Sequence, residues 1–484
     1  MRNLVFGCLL ILLSFSSCQT KPPTFGDILA SSYDQKLFKD FDSTAYFTAV
    51  QRELKNEKIR FFNPKWMSEI ADSTKGFTWI HGQLLTGGTD TLLYYLNRAD
   101  EHGIKSSIFH TEEIQNALHK LKKNNMADLD EAYTVLAKIE LLSSDALVAY
   151  VNMLENGIVN PKRLYGRYFV EHSRYSLNKA KQLLDSNLIV SEVIHEAQPT
   201  NAYYKKFQQL LTEGNVRSED YNDVLMTMER LRWMGQDFPE KYVFVNIPEM
   251  KLQMIDDGAM QQIMNVCVGE TENKAYAKTG ENHETPIMSG TLDRMQVNPV
   301  WNIPSSIVKK ELLRSVRANP SYLESRNMVV YNLKGQLVDP YNVNWQADSV
   351  ENFKFKQNPG FDNSLGNIKF IFANPYAIYL HDTPAKQKFK VSNRALSHGC
   401  VRVEDPTSLA SFLVNNEKEA SKIATEIKDS VNNSRWVKMK QGVPVYLSYY
   451  TTWLDGDNKI QHFPDIYGYD ERLRVALNKY VIKE

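Results

Sequence analysis

Two histidines and one cysteine, close together toward the C-terminal end, have the types and spacing of a covalent-catalysis site. His381 lies in the run YLHDTP, and both His398 and Cys400 lie in the run SHGCVR. A thiol becomes an effective nucleophile when a neighbouring group takes its proton, and imidazole is suited to that task. The pattern therefore predicts a cysteine enzyme whose nucleophile is Cys400.

The elements that must position these side chains are two short strands and a helix. Residues 376–381 alternate in polarity and predict a half-buried strand that presents its histidine to a cleft. The alternation resumes at residues 400–404, where Cys400 and Arg402 share one face. Asp405-Pro406 then has the residue types of an N-cap and a first helical residue. A strand followed by a helix would be a rigid mount for the thiol.

Less specific interpretations of the same residues stay open. His381, His398 and Cys400 have side chains that also bind zinc, but no fourth ligand stands at a motif-like spacing, so we expect no metal and no cofactor. Residues 397–402 could instead have a purely structural role. Cys267 lies in the apolar run IMNVCV and is expected to be a buried packing residue.

The pattern H-x(n)-SHGCVR resembles the active-site signature of L,D-transpeptidases, the cysteine enzymes that cross-link bacterial peptidoglycan through the third residues of two stem peptides. Further segments resemble landmarks of the large periplasmic subclass: Thr285-Pro286, the run NPVWNIP at 298–304, Pro359-Gly360 and the run LGNIKF at 365–370. The resemblance implies an α+β fold. An N-terminal all-α scaffold domain would precede a β-rich catalytic domain with a capping insertion.

The resemblance also implies roles for individual residues. Cys400 would be the nucleophile and His381 the general base, oriented by a backbone carbonyl rather than by a carboxylate. Backbone N–H groups around Gly399 and Cys400 would hold the oxyanion, because glycine allows a close approach. His398 would line the pocket. Arg402 would bind a carboxylate of the stem peptide, a task suited to a planar cation.

Four more residues are candidates for lining the site. Ser397 is expected to contact substrate. Trp301 and Asn302, which stand between two prolines, could line the substrate groove or only pack a turn, and both interpretations stay open. Tyr379 could be a wall of the pocket or a participant in the reaction.

The activity that the resemblance implies is the formation of 3→3 cross-links through a cysteine thioester of a tetrapeptide stem. The partners would be the donor tetrapeptide and an acceptor diaminopimelate. Water as the acceptor would make the same site an L,D-carboxypeptidase. A third possibility is a catalytically idle lipoprotein that binds the cell wall.

The composition is consistent with an extracytoplasmic enzyme. Lys plus Arg equals Asp plus Glu at 57 each, so no overall positive field recruits nucleic acid. The length of 484 residues allows more than one domain, and a hydrophobic content of 43% is sufficient for cores.

The N-terminus predicts the location. Residues 1–18 contain Arg2, a short apolar run and small residues before Cys18, which is typical of a lipoprotein signal peptide. Cys18 would carry the lipid and residues 19–40 would form a tether. We therefore expect a periplasmic protein anchored to a membrane, with simple secretion to the periplasm as the alternative.

The remaining sequence divides by its periodicity. Residues 41–240 are expected to form the helical scaffold domain, with clear helical patterns at 114–121 and 221–234. Residues 241–484 would form the catalytic domain, in which residues 309–357, polar and helix-prone, would be the capping subdomain.

Shorter patterns place elements within the predicted catalytic domain. Residues 242–247 and 251–255 alternate with a period of two around a turn and predict a hairpin. Residues 443–450 predict a further strand. A terminal helix is expected at about 470–479.

Overall fold

The computed structural model describes residues 22–173, 175–185, 187–234, 237–270, 282–429 and 433–481. The predicted signal peptide and Cys18 lie outside these ranges. Two compact units interleave along the sequence. One contains the residues up to Asn97 together with Ser106–Tyr150 and Ser176–Val193, and the other contains Arg98–Lys105, Val151–Tyr175 and the residues from Ile194 onward. The domain boundary near residue 240 stays a prediction.

The N-terminal half of the described chain is mostly helical. Its α-helices are α1 Phe25–Ser32, α2 Ser43–Leu54, α3 Pro64–Thr74, α4 Gly88–Leu96, α5 Thr111–Lys122, α6 Leu129–Asn156, α7 Pro161–Tyr165, α8 Leu177–Leu183, α9 Val190–Glu196, α10 Ala202–Thr212 and α11 Tyr221–Met234. A π-helix covers Ile80–Leu84, and 3-10 turns cover Lys36–Asp40, Ala99–His102, Ser106–Phe109 and Ser218–Asp220. In the part of the chain described, no helix combines the length and the apolar character needed to cross a bilayer.

Burial explains the helices that the periodicity predicted. The four apolar residues of α5 that repeat at helical spacing, Ile114, Ala117, Leu118 and Leu121, are all buried. In the first unit, the carboxyl oxygens of Glu140 on α6 accept backbone N–H groups from Thr78, Trp79 and Ile80 at 2.8–2.9 Å. This buried acceptor satisfies donors at the start of the π-helix that would otherwise lack partners.

The second unit is built on a large sheet. Its strands are β1 Tyr168–Phe169, β2 Tyr242–Asn246, β3 Lys251–Asp256, β4 Ala259–Gly269, β5 Ile287–Val297, β6 Trp301–Asn302, β7 Met328–Tyr331, β8 Leu337–Val338, β9 Lys354–Gln357, β10 Ile368–Phe372, β11 Leu380–His381, β12 Ala395–Ser397, β13 Val401–Val403, β14 Arg435–Ser448, β15 Thr452–Leu454 and β16 Ile460–His462. The later helices are α12 Ser305–Ile307, α13 Leu313–Ala318, α14 Ser321–Ser325, α15 Pro406–Val414, α16 Glu417–Asp429 and α17 Tyr469–Leu477, with a π-helix at Val308–Leu312 and 3-10 turns at Pro340–Asn342, Asp348–Asn352 and Lys386–Lys390.

The main sheet closes on itself. Its strands pair in the order β5, β10, β11, β13, β4, β3, β2 and β14, and β14 pairs back with β5. Alternation explains the two buried faces of β2: Val243 and Val245 join the cluster inside the sheet, whereas Tyr242 and Phe244 join a second cluster with residues of α10 and α11. The predicted hairpin is confirmed, since β2 and β3 are antiparallel.

The segment between β5 and β10 forms a separate layer with its own core. A four-stranded sheet in the order β6, β9, β7 and β8 packs with short helices around Val316, Val330 and Phe355, each at most 1% exposed. The sequence pattern of this segment predicted helices and did not predict these strands. The sheet also recruits Trp301 and Asn302, ahead of the predicted start at residue 309.

The prediction of a strand over residues 376–381 is wrong for most of its length. Only Leu380 and His381 pair as β11. Ala377 has φ of +54°, in the left-handed region, and Asn374 accepts the N–H groups of Tyr376 and Ile378 in a tight turn. The overall class is as expected: a helical N-terminal region followed by a β-rich C-terminal region, hence α+β.

Candidate active site

Cys400 directly precedes β13, a strand that is held between two neighbouring strands. β13 is parallel to β11 on one side and antiparallel to β4 on the other. Val401 and Val403 are fully buried, so Arg402 between them turns to the opposite face. The Cys400 side chain is partly exposed, and its thiol lies 3.8 Å from the carbonyl oxygen of Ala377. Asp405 caps α15 directly after the strand, as the sequence predicted.

His381 lies on β11 in register with Arg402 of β13 and with Lys369 of β10. The imidazole is 5% exposed, and its Nδ1 lies 2.5 Å from the main-chain oxygen of Asp382. Burial, and next the charge of Arg402, lower the pKa of His381 to about 3. The ring is therefore neutral at physiological pH. The Asp382 carbonyl can only accept a hydrogen bond, so it favours the tautomer with the proton on Nδ1 and leaves Nε2 as the basic nitrogen.

The Asp382 carboxylate is bound elsewhere. It accepts the backbone N–H groups of Asn367 at 2.9 Å and Thr383 at 2.7 Å, and the Lys386 ammonium at 2.7 Å. A side chain at Gly366 would collide with this carboxylate, because an added Cβ would lie 2.3 Å from Oδ2. A backbone carbonyl, rather than this carboxylate, thus orients the imidazole.

The turn before Cys400 is held from within. The Ser397 hydroxyl donates to the carbonyl of Cys400 at 2.5 Å and accepts the N–H of Gly399 at 3.1 Å. Ser397 is only 2% exposed, so its position does not support the expected contact with substrate. The Gly399 N–H is likewise engaged, which leaves the N–H of Cys400 as the better candidate for binding an oxyanion. Gly399 has φ of +111°, a conformation that favours glycine.

Thr285 ties this turn to the neighbouring strand, a role that the sequence did not reveal. Its hydroxyl donates to the carbonyl of Gly399 at 2.9 Å and accepts the N–H of Gly269 at 2.8 Å. The Thr285 N–H in turn donates to the hydroxyl of Tyr467, which donates to the carbonyl of Gly269. The Thr285-Pro286 landmark marked the segment, but the partners Gly399 and Tyr467 lie 114 and 182 residues away in sequence.

Two cations stand close to the thiol. Buried Nε of Arg402 has no hydrogen-bond partner among the described residues. Lys369 is half-buried, and burial lowers its pKa. Its Nζ lies 5.8 Å from the ring centroid of Tyr379 and 5.7 Å from that of Trp436. Both cations lower the pKa of Cys400, but burial dominates and raises it to about 11.

Tyr379 links the thiol to the insertion. Its hydroxyl interacts with the thiol of Cys400 and with the side chain of Trp301, and burial raises its pKa. Trp301 is half-buried on β6, and the neighbouring Asn302 is exposed. Tyr379 and Trp301 therefore meet at the site, whereas the position of Asn302 leaves both interpretations of that residue open.

His398 faces the insertion. Its Nε2 lies 2.7 Å from a carboxylate oxygen of Glu311, and this hydrogen bond raises the pKa of His398. Among the described residues, the ligand atoms of His381, His398 and Cys400 do not come close enough together to share one zinc ion. Cys267 is fully buried, in line with a packing role.

Comparison with known proteins identifies two domains in the chain. Residues 240–438 match the family model of the L,D-transpeptidase catalytic domain, and residues 71–211 match that of the Scaffold domain. The chain therefore carries an L,D-transpeptidase catalytic domain, preceded by a Scaffold domain. It is 35% identical over 299 residues to a Haemophilus influenzae protein provisionally named as an L,D-transpeptidase, an alignment that covers 61% of this chain and 57% of that protein.

Two solved structures are also similar in part. One is the structure of the Ldtfm-avibactam carbamoyl enzyme, 11% identical with a TM-score of 0.21, covering 46% of this chain and 62% of that one. The other is an L,D-transpeptidase from Mycobacterium smegmatis, 14% identical with a TM-score of 0.19, covering 44% and 60%.

Proposed function

We propose that this protein is a cysteine acyltransferase that forms 3→3 cross-links between peptidoglycan stem peptides. The observation that carries the proposal is the parallel pairing of β11 and β13, because His381 lies on β11 and Cys400 directly precedes β13. Family membership supports the reaction class, and the contacts around the two side chains support the individual steps.

The first step is acylation. Cys400 is a neutral thiol at rest, because burial raises its pKa to about 11. Nε2 of His381 accepts the thiol proton as sulfur attacks the carbonyl carbon of the third stem residue. The Cys400 N–H donates to the resulting oxyanion. The bond to the terminal D-Ala then breaks, His381 returns the proton to the departing amine, and a thioester remains on Cys400.

The second step transfers the acyl group. The side-chain amine of a second diaminopimelate attacks the thioester carbon, a new C–N bond forms, and the C–S bond breaks. His381 takes the proton of the amine, and sulfur leaves as the thiol after receiving it. Water in place of the amine would give hydrolysis, so access of the acceptor decides between cross-linking and carboxypeptidase activity.

Arg402 is proposed to bind a carboxylate of the donor stem. Its buried Nε has no acceptor among the described residues. A buried donor without a partner lowers stability, and a ligand carboxylate that accepts its hydrogen bond would remove that cost. A guanidinium can bind a carboxylate through two parallel hydrogen bonds. Trp301 and Tyr379 would form an aromatic wall of the same groove.

Disaccharide-tetrapeptide incubated with the protein, followed by mass spectrometry, tests the proposal. A dimer with loss of one D-Ala is expected. Loss of D-Ala without a dimer would identify a carboxypeptidase, and unchanged substrate would identify an idle wall-binding protein. Cys400→Ala should abolish turnover, and His381→Ala should lower it by about 10²- to 10⁴-fold. Cys267→Ala is the matched control, because it removes the buried thiol and should keep activity.

We also propose that the protein is a periplasmic lipoprotein anchored through Cys18, on the basis of the sequence pattern alone. Labelling of cells with a clickable fatty acid tests this directly. The wild-type chain should carry the label, and Cys18→Ser should not. Release of an unlabelled wild-type chain into the soluble periplasmic fraction would favour simple secretion.

A further inference from the structure

A cluster of metal-binding side chains lies beside the proposed active site and is not used by the reaction. It consists of Glu270, His283 and His398, each of which offers one ligand atom within 4.8 Å of the others. The Glu270 carboxylate lies 2.8 Å from Nδ1 of His283. The rings of His283 and His398 have centroids 4.6 Å apart with an interplanar angle of 58°. Sequence spacing could not reveal this group, because its members come from three separate segments.

Backbone hydrogen bonds hold these segments in place. The N–H of Glu270 donates to the carbonyl of Ser397 at 2.8 Å, which joins the end of β4 to the turn that carries His398. Thr285, two residues after His283, bonds both Gly269 and Gly399. Ligands mounted on segments tied in this way are positioned before a metal arrives, which favours binding.

The donor set matches a particular class of ion. Two imidazoles and one carboxylate are the protein ligands of many zinc sites that keep an open coordination position. Glu311, 2.7 Å from His398, stands where a carboxylate commonly orients a histidine ligand. The positive charge of Arg402 also acts on His398 and would repel a bound cation. The negative charges of Glu311 and Glu270 act on the same histidine and outnumber it.

We propose that Glu270, His283 and His398 bind one divalent transition-metal ion of the Zn²⁺ type, with Glu311 orienting His398. Because His398 is two residues before Cys400, the bound ion would fix the turn that carries the nucleophile. The alternative is a metal-independent network in which each histidine only pairs with its carboxylate. The site does not depend on the proposed transpeptidase reaction, so binding can be measured with the nucleophile removed.

Zn²⁺ binding to the full-length Cys400→Ser protein, measured by competition with a chromogenic chelator, tests the proposal. One tightly bound ion per chain is expected. His283→Ala and Glu270→Gln should each weaken binding by at least about 10-fold, and Glu311→Gln by on the order of 10-fold. His462→Ala is the matched control, because it removes a histidine that contacts a carboxylate at 2.8 Å outside the cluster, and it should leave binding unchanged. Circular dichroism establishes that each variant is folded.

Co²⁺ spectra of the protein with Cys400 intact identify the ligands directly. Visible bands from nitrogen and oxygen ligands, without a sulfur-to-cobalt charge-transfer band, are expected. A charge-transfer band would place the ion on the thiol and overturn the proposal. Equal Zn²⁺ affinity in a folded His283→Ala or Glu270→Gln variant, or no stoichiometric binding by the Cys400→Ser protein, would also overturn it.

Discussion

Replacing Thr285 by valine tests whether the turn before Cys400 depends on one hydroxyl. Valine keeps the shape of the side chain but removes both hydrogen bonds, so the N–H of Gly269 and the carbonyl of Gly399 lose a buried partner. Each unsatisfied buried group costs about 1–3 kcal/mol, so the two together should lower the free energy of unfolding by roughly 2–6 kcal/mol. Thr285→Ser retains the hydroxyl and is the control.

The same substitution should impair catalysis more than stability alone predicts. A shift of the turn would move the N–H of Cys400 relative to the substrate carbonyl, and a misplacement of about 1 Å can cost about 100-fold in rate. The assay is the initial rate of D-Ala release at a temperature where the Thr285→Val protein remains folded, next to denaturant unfolding of the same samples. A valine variant with wild-type rate and wild-type unfolding would refute the assignment of Thr285 as a positioning residue.

Three further predictions concern charge and protonation. Arg402→Gln should lower kcat/KM for the tetrapeptide by about 10- to 100-fold in the D-Ala release assay, because a charged hydrogen bond is lost. Arg402→Lys should restore only part of that loss. A kcat/KM of the Arg402→Gln protein equal to that of the wild type would contradict the assignment. Because burial raises the pKa of Cys400 to about 11, alkylation by iodoacetamide should rise about tenfold per pH unit from roughly pH 6 to 9, whereas a plateau near neutrality would indicate a preformed ion pair. Burial raises the pKa of Glu140 from 4.5 to about 7, so between these pH values the folded state keeps a proton that the unfolded state has lost. The free energy of unfolding should therefore fall by roughly 3 kcal/mol as the pH rises from 4.5 to 7. Denaturant unfolding at both pH values checks this, and Glu140→Gln should remove the pH dependence.

The sequence predicted the elements whose pattern is local. The strand after Cys400, the cap at Asp405 and helices α5 and α11 follow from residue types within a few positions, and all are present. The prediction of a strand at residues 376–381 was wrong because alternating polarity does not indicate that a residue such as Ala377 adopts a left-handed conformation. The orientation of a side chain is also non-local: Ser397 points inward because the Cys400 carbonyl and the Gly399 N–H both bind its hydroxyl.

Residues brought together from distant segments were beyond sequence reasoning. Thr285 and Gly399 are joined across 114 residues, and His398 and Glu311 across 87. The insertion was expected to be helix-prone because its strands are only two to four residues long, too short for a period of two to be distinctive. Its contact with His398 depends on how that layer folds over the turn.

Trapping of the acyl-enzyme tests the central claim most directly. The full-length protein is mixed with disaccharide-tetrapeptide, quenched in acid during turnover, and analysed by intact mass and peptide mapping. The account predicts an adduct with the mass of the donor minus D-Ala on the peptide that contains Cys400, slower to form in His381→Ala and absent from Cys400→Ala. An adduct on another residue, or undiminished product from the Cys400→Ala protein, would contradict it.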